Sequence, residues 1–173
     1  METDLNRIKE LAEQRENAYW SFRRYLKGEP LPSKKIDTMV HELFKDISSK
    51  IDCTACANCC REIRPGLSED EIRVFADGLK MPVEQFTEQY ITKCDTPGVY
   101  MFKEKPCPFL KDNNCSNYEF RPEDCRSFPH LHKEDFTGRL IRVVCNCSVC
   151  PIVFNVYEEL RKEIRRMQKH KRR

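Results

Sequence analysis

The residues best suited to chemistry in this chain of 173 amino acids are its eleven cysteines, all of which lie between Cys53 and Cys150. An odd number of cysteines, in a chain whose first residues show no secretory h-region, fits a disulfide framework badly. Thiols that cluster in a reducing cytosol are more often metal ligands or catalytic groups. The pattern therefore favours metal binding over disulfide formation.

The first cysteine group is Cys53-x2-Cys56-x2-Cys59-Cys60. Gaps of two residues allow three thiolates to face one centre, as in the opening of the bacterial ferredoxin run. Cys60 follows Cys59 directly, and neighbouring side chains diverge on a helix or lie on opposite faces of a strand. We therefore predict that Cys59 and Cys60 serve two different metal positions. The alternative is that Cys60 is a buried thiol beside a single four-ligand site.

The second group begins with Cys107-Pro-Phe-Leu and continues with Cys115 and Cys125. A turn at Asn113-Asn114 would bring Cys107 and Cys115 together, because asparagine tolerates turn conformations. This group is predicted to take Cys60 as a further ligand.

The third group is Cys145-x-Cys147-x2-Cys150, which Pro151 follows. Cys145 and Cys147 are either ligands or buried thiols that pack as small apolar side chains. Cys94 has no cysteine at ligand spacing, so we expect it to be a buried thiol.

Four motifs together resemble one known family: Cys53-x2-Cys56-x2-Cys59-Cys60, Cys107-Pro-Phe-Leu, Cys115-Ser-Asn-Tyr118, and Arg121-Pro122-x2-Cys125-Arg126. Over residues 50–155, roughly, the sequence resembles the CxxCxxCC cysteine-cluster proteins, the YkgJ-type zinc- or iron-chelating family. The resemblance implies metal binding by cysteine, as iron–sulfur or zinc, and the eight cysteines of the family pattern correspond to Cys53, Cys56, Cys59, Cys60, Cys107, Cys115, Cys125 and Cys150. Cys150 is the best positional match to the eighth family cysteine, and it would complete the centre of Cys53, Cys56 and Cys59. Cys145 and Cys147 compete for that position.

Family membership leaves two functions open. The first is a metal-binding protein whose centre is structural or carries electrons to an unknown protein or redox partner. The alternative is an iron–sulfur enzyme related to flagellin lysine N-methylase, in which a similar domain occurs. The five glycines of the chain lie more than ten residues apart, which excludes a G-x-G-x-x-G loop for a methyl donor.

Two arginines, Arg121 and Arg126, flank Cys125. A thiolate centre is negatively charged, and N–H groups of these arginines could offset that charge. The alternative is that each arginine pairs with one of the nearby carboxylates Glu119, Glu123 and Asp124.

Helical periodicity dominates both ends of the chain. Apolar residues at three- and four-residue spacing predict a helix over residues 3–27, ended by Gly28-Glu29-Pro30, and a second helix from Ser33 as N-cap to Lys50. A third long helix begins at Pro151.

The middle of the chain is predicted to hold shorter elements. A capping box at Ser68 opens a helix that Gly78 closes, and Pro82 starts another that ends at Ile91. Residues 99–102 and 140–145 are rich in β-branched or aromatic side chains and are predicted to be strands.

The expected fold is mainly α with a few short strands, in which two N-terminal helices and one C-terminal helix surround a metal-stapled middle. We expect a single domain over residues 1–173. It comprises a helical N-terminal extension (1–50), the cysteine-cluster metal-binding region (51–151), and a C-terminal helix with a basic tail (152–173).

Charge and hydropathy exclude other classes of protein. The longest apolar run, Pro151–Phe154, is far shorter than the ~20 residues of a membrane span, so we expect a cytoplasmic protein with no membrane contact. Residues 161–173 carry eight Lys or Arg and one Glu. No aromatic residue interleaves this run, which favours a solvated helix end over a nucleic-acid arm.

Overall fold

The structure is a computed structural model that describes residues 1–28 and 31–171, together with the side chains of all of these except Lys171. It divides into two compact units. The helical unit comprises Met1–Asp52 and Pro129–Arg173, and the cysteine unit is Cys53–Phe128. The expected fold class, mainly α with a few short strands, is confirmed.

The helices and strands follow one another in a simple order. The helices are α1 (Leu5–Gln14), α2 (Glu16–Lys27), α3 (Ser33–Ser48), α4 (Cys53–Cys56), α5 (Asn58–Glu62), α6 (Glu69–Gly78), α7 (Val83–Tyr90), α8 (Glu123–Arg126), α9 (Leu140–Asn146) and α10 (Pro151–Lys171). The strands are β1 (Gly66–Leu67), β2 (Ile91–Lys93), β3 (Tyr100–Phe102), β4 (Leu110–Lys111) and β5 (Asn114–Cys115). The described residues also form 3-10 helices at Tyr118–Phe120 and Thr137–Arg139.

The N-terminal helix differs from its prediction because it is broken at Arg15, which has φ −103° and ψ 7°. Both halves lie against α10, and the second half has a further partner. α1 packs on α10 and buries Ile8, whereas α2 packs on α9, buries Leu26, and also contacts α10 through the Tyr19 ring on the Tyr157 ring.

The ends of the predicted helices differ in detail. α2 ends at Lys27 with Gly28 as its C-cap, as predicted, while Glu29 and Pro30 of the predicted stop lie outside the described residues. Ser33 is the first residue of α3 rather than its N-cap, a position that Pro32 occupies without a side-chain hydrogen bond. The capping box at Ser68 is confirmed. The Ser68 hydroxyl accepts from the Glu71 backbone N–H, and the Glu71 carboxylate accepts from the Ser68 backbone N–H.

The predicted strand over residues 140–145 is wrong, because this segment forms α9. Leu140, Val143, Val144 and Cys147 recur at helical spacing, and all four are buried. Burial of this helical face outweighs the β-propensity of the two valines. The predicted strand at residues 99–102 is confirmed as β3.

The cysteine unit has its own small core. Its three-stranded antiparallel sheet has the order β1-β3-β2, and β4 pairs with β5 in a separate hairpin. The ring of Phe109 lies at the centre of an aromatic cluster, 4.8 Å from the Phe75 ring and 4.9 Å from the Tyr90 ring. Burial of such rings is the main favourable term that holds a small unit together.

None of the helices in the described part of the chain combines the length and the apolar character that a membrane span requires. The basic tail continues α10 through the exposed Lys169 and His170. Its last two residues, Arg172 and Arg173, lie outside the described residues.

Candidate metal centre

The first cysteine group lies on two very short helices joined at Ala57. α4 carries Cys53 and Cys56, and α5 carries Cys59 and Cys60. Ala57 adopts a left-handed conformation with φ 45°, which is uncommon for a residue with a side chain. Its backbone nevertheless links both helices, since its N–H donates to Cys53 O at 2.9 Å and its carbonyl accepts from Cys60 N at 3.1 Å.

Arg61 and Asn113 fasten this cysteine loop to the β4–β5 hairpin. The Arg61 guanidinium donates to Cys56 O at 2.8 Å and to the side-chain oxygen of Asn113. The Asn113 amide donates to Ala55 O at 3.3 Å. Sequence reasoning missed Arg61, although a cation directly after a cysteine doublet was an available signal.

The hairpin itself confirms the predicted turn, shifted by one residue. Its central residues are Asp112 and Asn113, which both have positive φ, at 48° and 63°. Two consecutive positive φ values are typical of a tight two-residue hairpin turn. The hairpin places Cys115 opposite Leu110, whose N–H donates to Cys107 O at 3.0 Å.

Four cysteines from three separate segments come together in the cysteine unit: Cys60, Cys107, Cys115 and Cys125. We call this set the thiol cluster. The Cys107 N–H donates to Cys60 O at 2.8 Å and so joins the first and second cysteine groups. Burial raises the pKa of Cys125, and the neighbouring thiols Cys60, Cys107 and Cys115 raise it further. Cys60 likewise raises the pKa of Cys107 and of Cys115.

Cys60 and Cys107 differ in how readily they ionise. A hydrogen bond from Cys59 and the charges of Arg121 and Arg61 together lower the pKa of Cys60 to about 7, against the opposing effect of burial. Burial raises the pKa of Cys107 to about 11. The thiol cluster thus contains one thiol that ionises near neutral pH among others that stay protonated.

The short helix α8 holds Cys125 in place through two contacts with other segments of the unit. The Glu123 N–H donates to Glu71 Oε1 at 2.7 Å, and the Asp124 carboxylate accepts from Gly66 N at 2.9 Å. Because Glu71 also belongs to the capping box of α6, the position of Cys125 depends on that helix end.

The two arginines that flank Cys125 have different partners. Arg121 stacks on the Tyr118 ring at 3.3 Å, donates from Nε to Tyr118 O at 2.8 Å, and exerts its positive charge on Cys60 and Cys115. Arg126 instead lies 3.7 Å from Glu123 Oε2. Arg121 therefore faces the thiol cluster. Arg126 instead pairs with a carboxylate, which was the alternative interpretation of these arginines.

The other cysteines occupy different environments. Cys53 is exposed, Cys56 and Cys59 are half-buried, and Cys94 lies half-buried at the end of β2. The three remaining cysteines belong to the helical unit, where Cys145 is exposed and Cys147 and Cys150 are buried. Cys147 is fully buried, and its thiol donates to Val143 O at 3.3 Å, as the buried-thiol reading expected.

The donor chemistry of the thiol cluster fits zinc and iron–sulfur centres, both of which are held by cysteine thiolates. In the described residues, no group of three or more His, Cys, Asp or Glu side chains already stands at the geometry of a metal site. Metal binding would therefore require the sulfur atoms to turn toward a common point.

Comparison with known proteins gives one match. The family model "CxxCxxCC: Putative zinc- or iron-chelating domain" matches residues 52–152, which is 101 of the 173 residues and includes all eight predicted ligands. Searches of curated proteins and of solved structures found no significant match. The chain belongs to the CxxCxxCC family.

Proposed function

We propose that this protein binds a metal through clustered cysteine thiolates, as a zinc or an iron–sulfur centre with a structural or electron-carrying role. The observation that carries the proposal is the convergence of Cys60, Cys107, Cys115 and Cys125 from separate segments of the cysteine unit. Four soft sulfur donors suit zinc and iron–sulfur clusters, and they suit calcium or magnesium poorly.

A structural contribution follows from the size of the cysteine unit. Cys53–Phe128 contains only 76 residues, and units of this length commonly need a metal or disulfides beside their core. Thiolate binding to zinc contributes about 10–16 kcal/mol in small zinc domains, which exceeds the stability of many complete folds. The metal would therefore determine whether the unit is folded.

In this proposal, a second metal position takes Cys53, Cys56 and Cys59 of the cysteine unit as ligands. The backbone contact of Cys60 with Cys107 supports the assignment of Cys60 to the thiol cluster rather than to this second position. We place the protein in the cytoplasm, where thiols stay reduced and available, with a redox protein as partner if the centre carries electrons.

Metal analysis of the protein purified with and without oxygen tests the proposal. We expect stoichiometric metal in the anaerobic preparation. Brown colour with a visible absorbance band identifies an iron–sulfur cluster, and colourless protein that contains zinc identifies a zinc site. Full-length, folded protein that holds neither metal after anaerobic purification and reconstitution would contradict the proposal.

A substitution at Arg121 tests how the cluster is supported. We expect Arg121→Gln to weaken metal affinity by about ten- to a hundredfold, the usual effect of removing a group that supports metal ligands, because the substitution removes the positive charge that acts on Cys60 and Cys115. Arg126→Gln is the matched control, since Arg126 lies beside Glu123.

Competition with a chromogenic chelator measures both affinities. Equal affinities in the two variants would show that Arg121 has no special role, and they would leave the metal assignment itself intact.

A further inference from the structure

The helical unit contains two matched pairs of side chains that the metal-binding proposal does not use. α2 carries Tyr19 and Arg23, and α10 carries Tyr157 and Arg161. Residues four apart lie on the same face of a helix, so each tyrosine is adjacent to its arginine. The two tyrosine rings meet edge to face at 5.3 Å, and the Arg161 guanidinium lies 4.9 Å from the centre of the Tyr19 ring. The two pairs therefore face each other.

Three hydrogen-bond donors in these pairs are buried, and none has an acceptor among the described residues. They are the Tyr19 hydroxyl, Arg23 Nε and Arg161 Nε. Tyr19 is only 1% exposed and Arg161 only 6%. The Tyr19 hydroxyl lies near Glu158 but forms no hydrogen bond of normal geometry with it. A buried donor without an acceptor costs about 1–3 kcal/mol, so three such donors together favour the binding of an acceptor.

Charge decides what kind of acceptor fits. Glu158 contacts Arg161 at 2.5 Å and Arg15 at 2.9 Å, and so serves two arginines. Arg23 has no carboxylate partner in the described residues, although it lies 5.8 Å from the centre of the Trp20 ring. Three arginines and one carboxylate leave two positive charges without compensation. A water molecule accepts hydrogen bonds but does not neutralise charge, whereas an oxyanion does both.

A cleft between the same two helices comes within one side chain of these donors, although none of the four residues of the two pairs lines it. This cleft has a volume of about 310 Å³, with Phe22, Ile164 and Arg165 among its lining residues. The Phe22 ring contacts the Tyr157 ring at 5.4 Å, so the cleft borders the tyrosine–arginine pairs. Burial raises the pKa of Tyr19, which keeps its hydroxyl protonated and able to donate at neutral pH.

We propose that the helical unit binds a small dianionic oxyanion, of the phosphate or sulfate type, between the pairs Tyr19–Arg23 and Tyr157–Arg161. This site lies within the helical unit and is independent of the thiol cluster. Arg23 and Arg161 supply the charge, and the Tyr19 hydroxyl supplies a neutral donor.

Thermal unfolding of the full chain in the presence of inorganic phosphate tests the proposal. We expect a saturable rise in Tm with phosphate and with sulfate, and neither acetate nor chloride at matched ionic strength should reproduce it. Arg23→Gln should abolish the phosphate-dependent rise. Arg24→Gln is the matched control and should retain it, because Arg24 is the exposed neighbour of Arg23 on α2.

Tyr19→Phe provides a second test that keeps the ring packing. It should weaken phosphate binding by roughly tenfold, because it removes one hydrogen bond to a charged ligand. The proposal would be overturned by wild-type protein without a saturable response, by equal responses of the two arginine variants, or by acetate acting as well as phosphate. If Arg23→Gln fails to fold, Tyr19→Phe decides the test by itself: an unchanged phosphate affinity in this variant would overturn the proposal. Metal content measured on the same samples keeps this outcome separate from the metal-binding proposal.

Discussion

Replacement of Cys125 by serine is expected to remove the metal held at the thiol cluster and to lower the free energy of unfolding by several kcal/mol. Cys125 sits on α8 beside Cys60, Cys107 and Cys115, and a serine hydroxyl is a poor ligand for the metals that these thiolates bind. The expected size of the loss follows from the ~10–16 kcal/mol that zinc contributes in small domains. Metal-to-protein ratio and chemical unfolding measure the two effects.

Cys94→Ser is the matched control for this experiment. Cys94 is half-buried as well, but it lies at the end of β2, where its backbone N–H bonds Val99 O at 3.0 Å regardless of the side chain. We expect it to keep its metal content. If Cys125→Ser does not fold, Cys115→Ser on the β4–β5 hairpin provides the same comparison. Loss of metal in the Cys94 variant alone would refute the ligand assignment.

The second large effect is expected from Phe109→Ala. The Phe109 ring contacts the rings of Phe75, Phe86, Tyr90 and Phe102 within 6.0 Å, and only 6% of the residue is exposed. Truncation of such a ring leaves a cavity and typically costs about 3–5 kcal/mol. Because Phe109 O accepts from Ser116 N at 2.8 Å in the hairpin that carries Cys115, loosening this core should also weaken metal binding.

Val74→Ala is the control, since Val74 lies in the same unit but is 48% exposed. Thermal unfolding and metal affinity of both variants give the test. A Phe109 variant as stable as the Val74 variant would mean that the aromatic cluster does not determine the stability of the unit.

The helices could largely be predicted from sequence because their apolar residues recur along one face. The break at Arg15 could not, because the helical spacing of apolar residues continues across it from Ala12 to Tyr19. The segment at residues 140–145 was mispredicted because Val143 and Val144 suggest a strand locally, and only the burial of Leu140 and Cys147 on the same face makes it a helix.

In the candidate site, too, a local turn could be predicted from sequence, whereas contacts between distant residues could not. The turn that joins Cys107 to Cys115 could be predicted because asparagines favour tight turns. The hydrogen bond between the Cys107 N–H and Cys60 O joins residues 47 positions apart, and no sequence spacing encodes it. The different surroundings of Arg121 and Arg126 likewise depend on where Tyr118 and Glu123 place their side chains.

The division of the chain between the two units has a consequence for the order of biosynthesis. The cysteine unit is continuous from Cys53 to Phe128, whereas the helical unit draws on residues from both sides of it. The Asn155 amide of α10, for example, donates to Glu2 O, across 153 positions of sequence. On the ribosome, the cysteine unit therefore emerges whole while the helical unit still lacks α10. The thiols of the cysteine unit can therefore meet the metal pool of the cell cotranslationally, before the synthesis of α10 is complete.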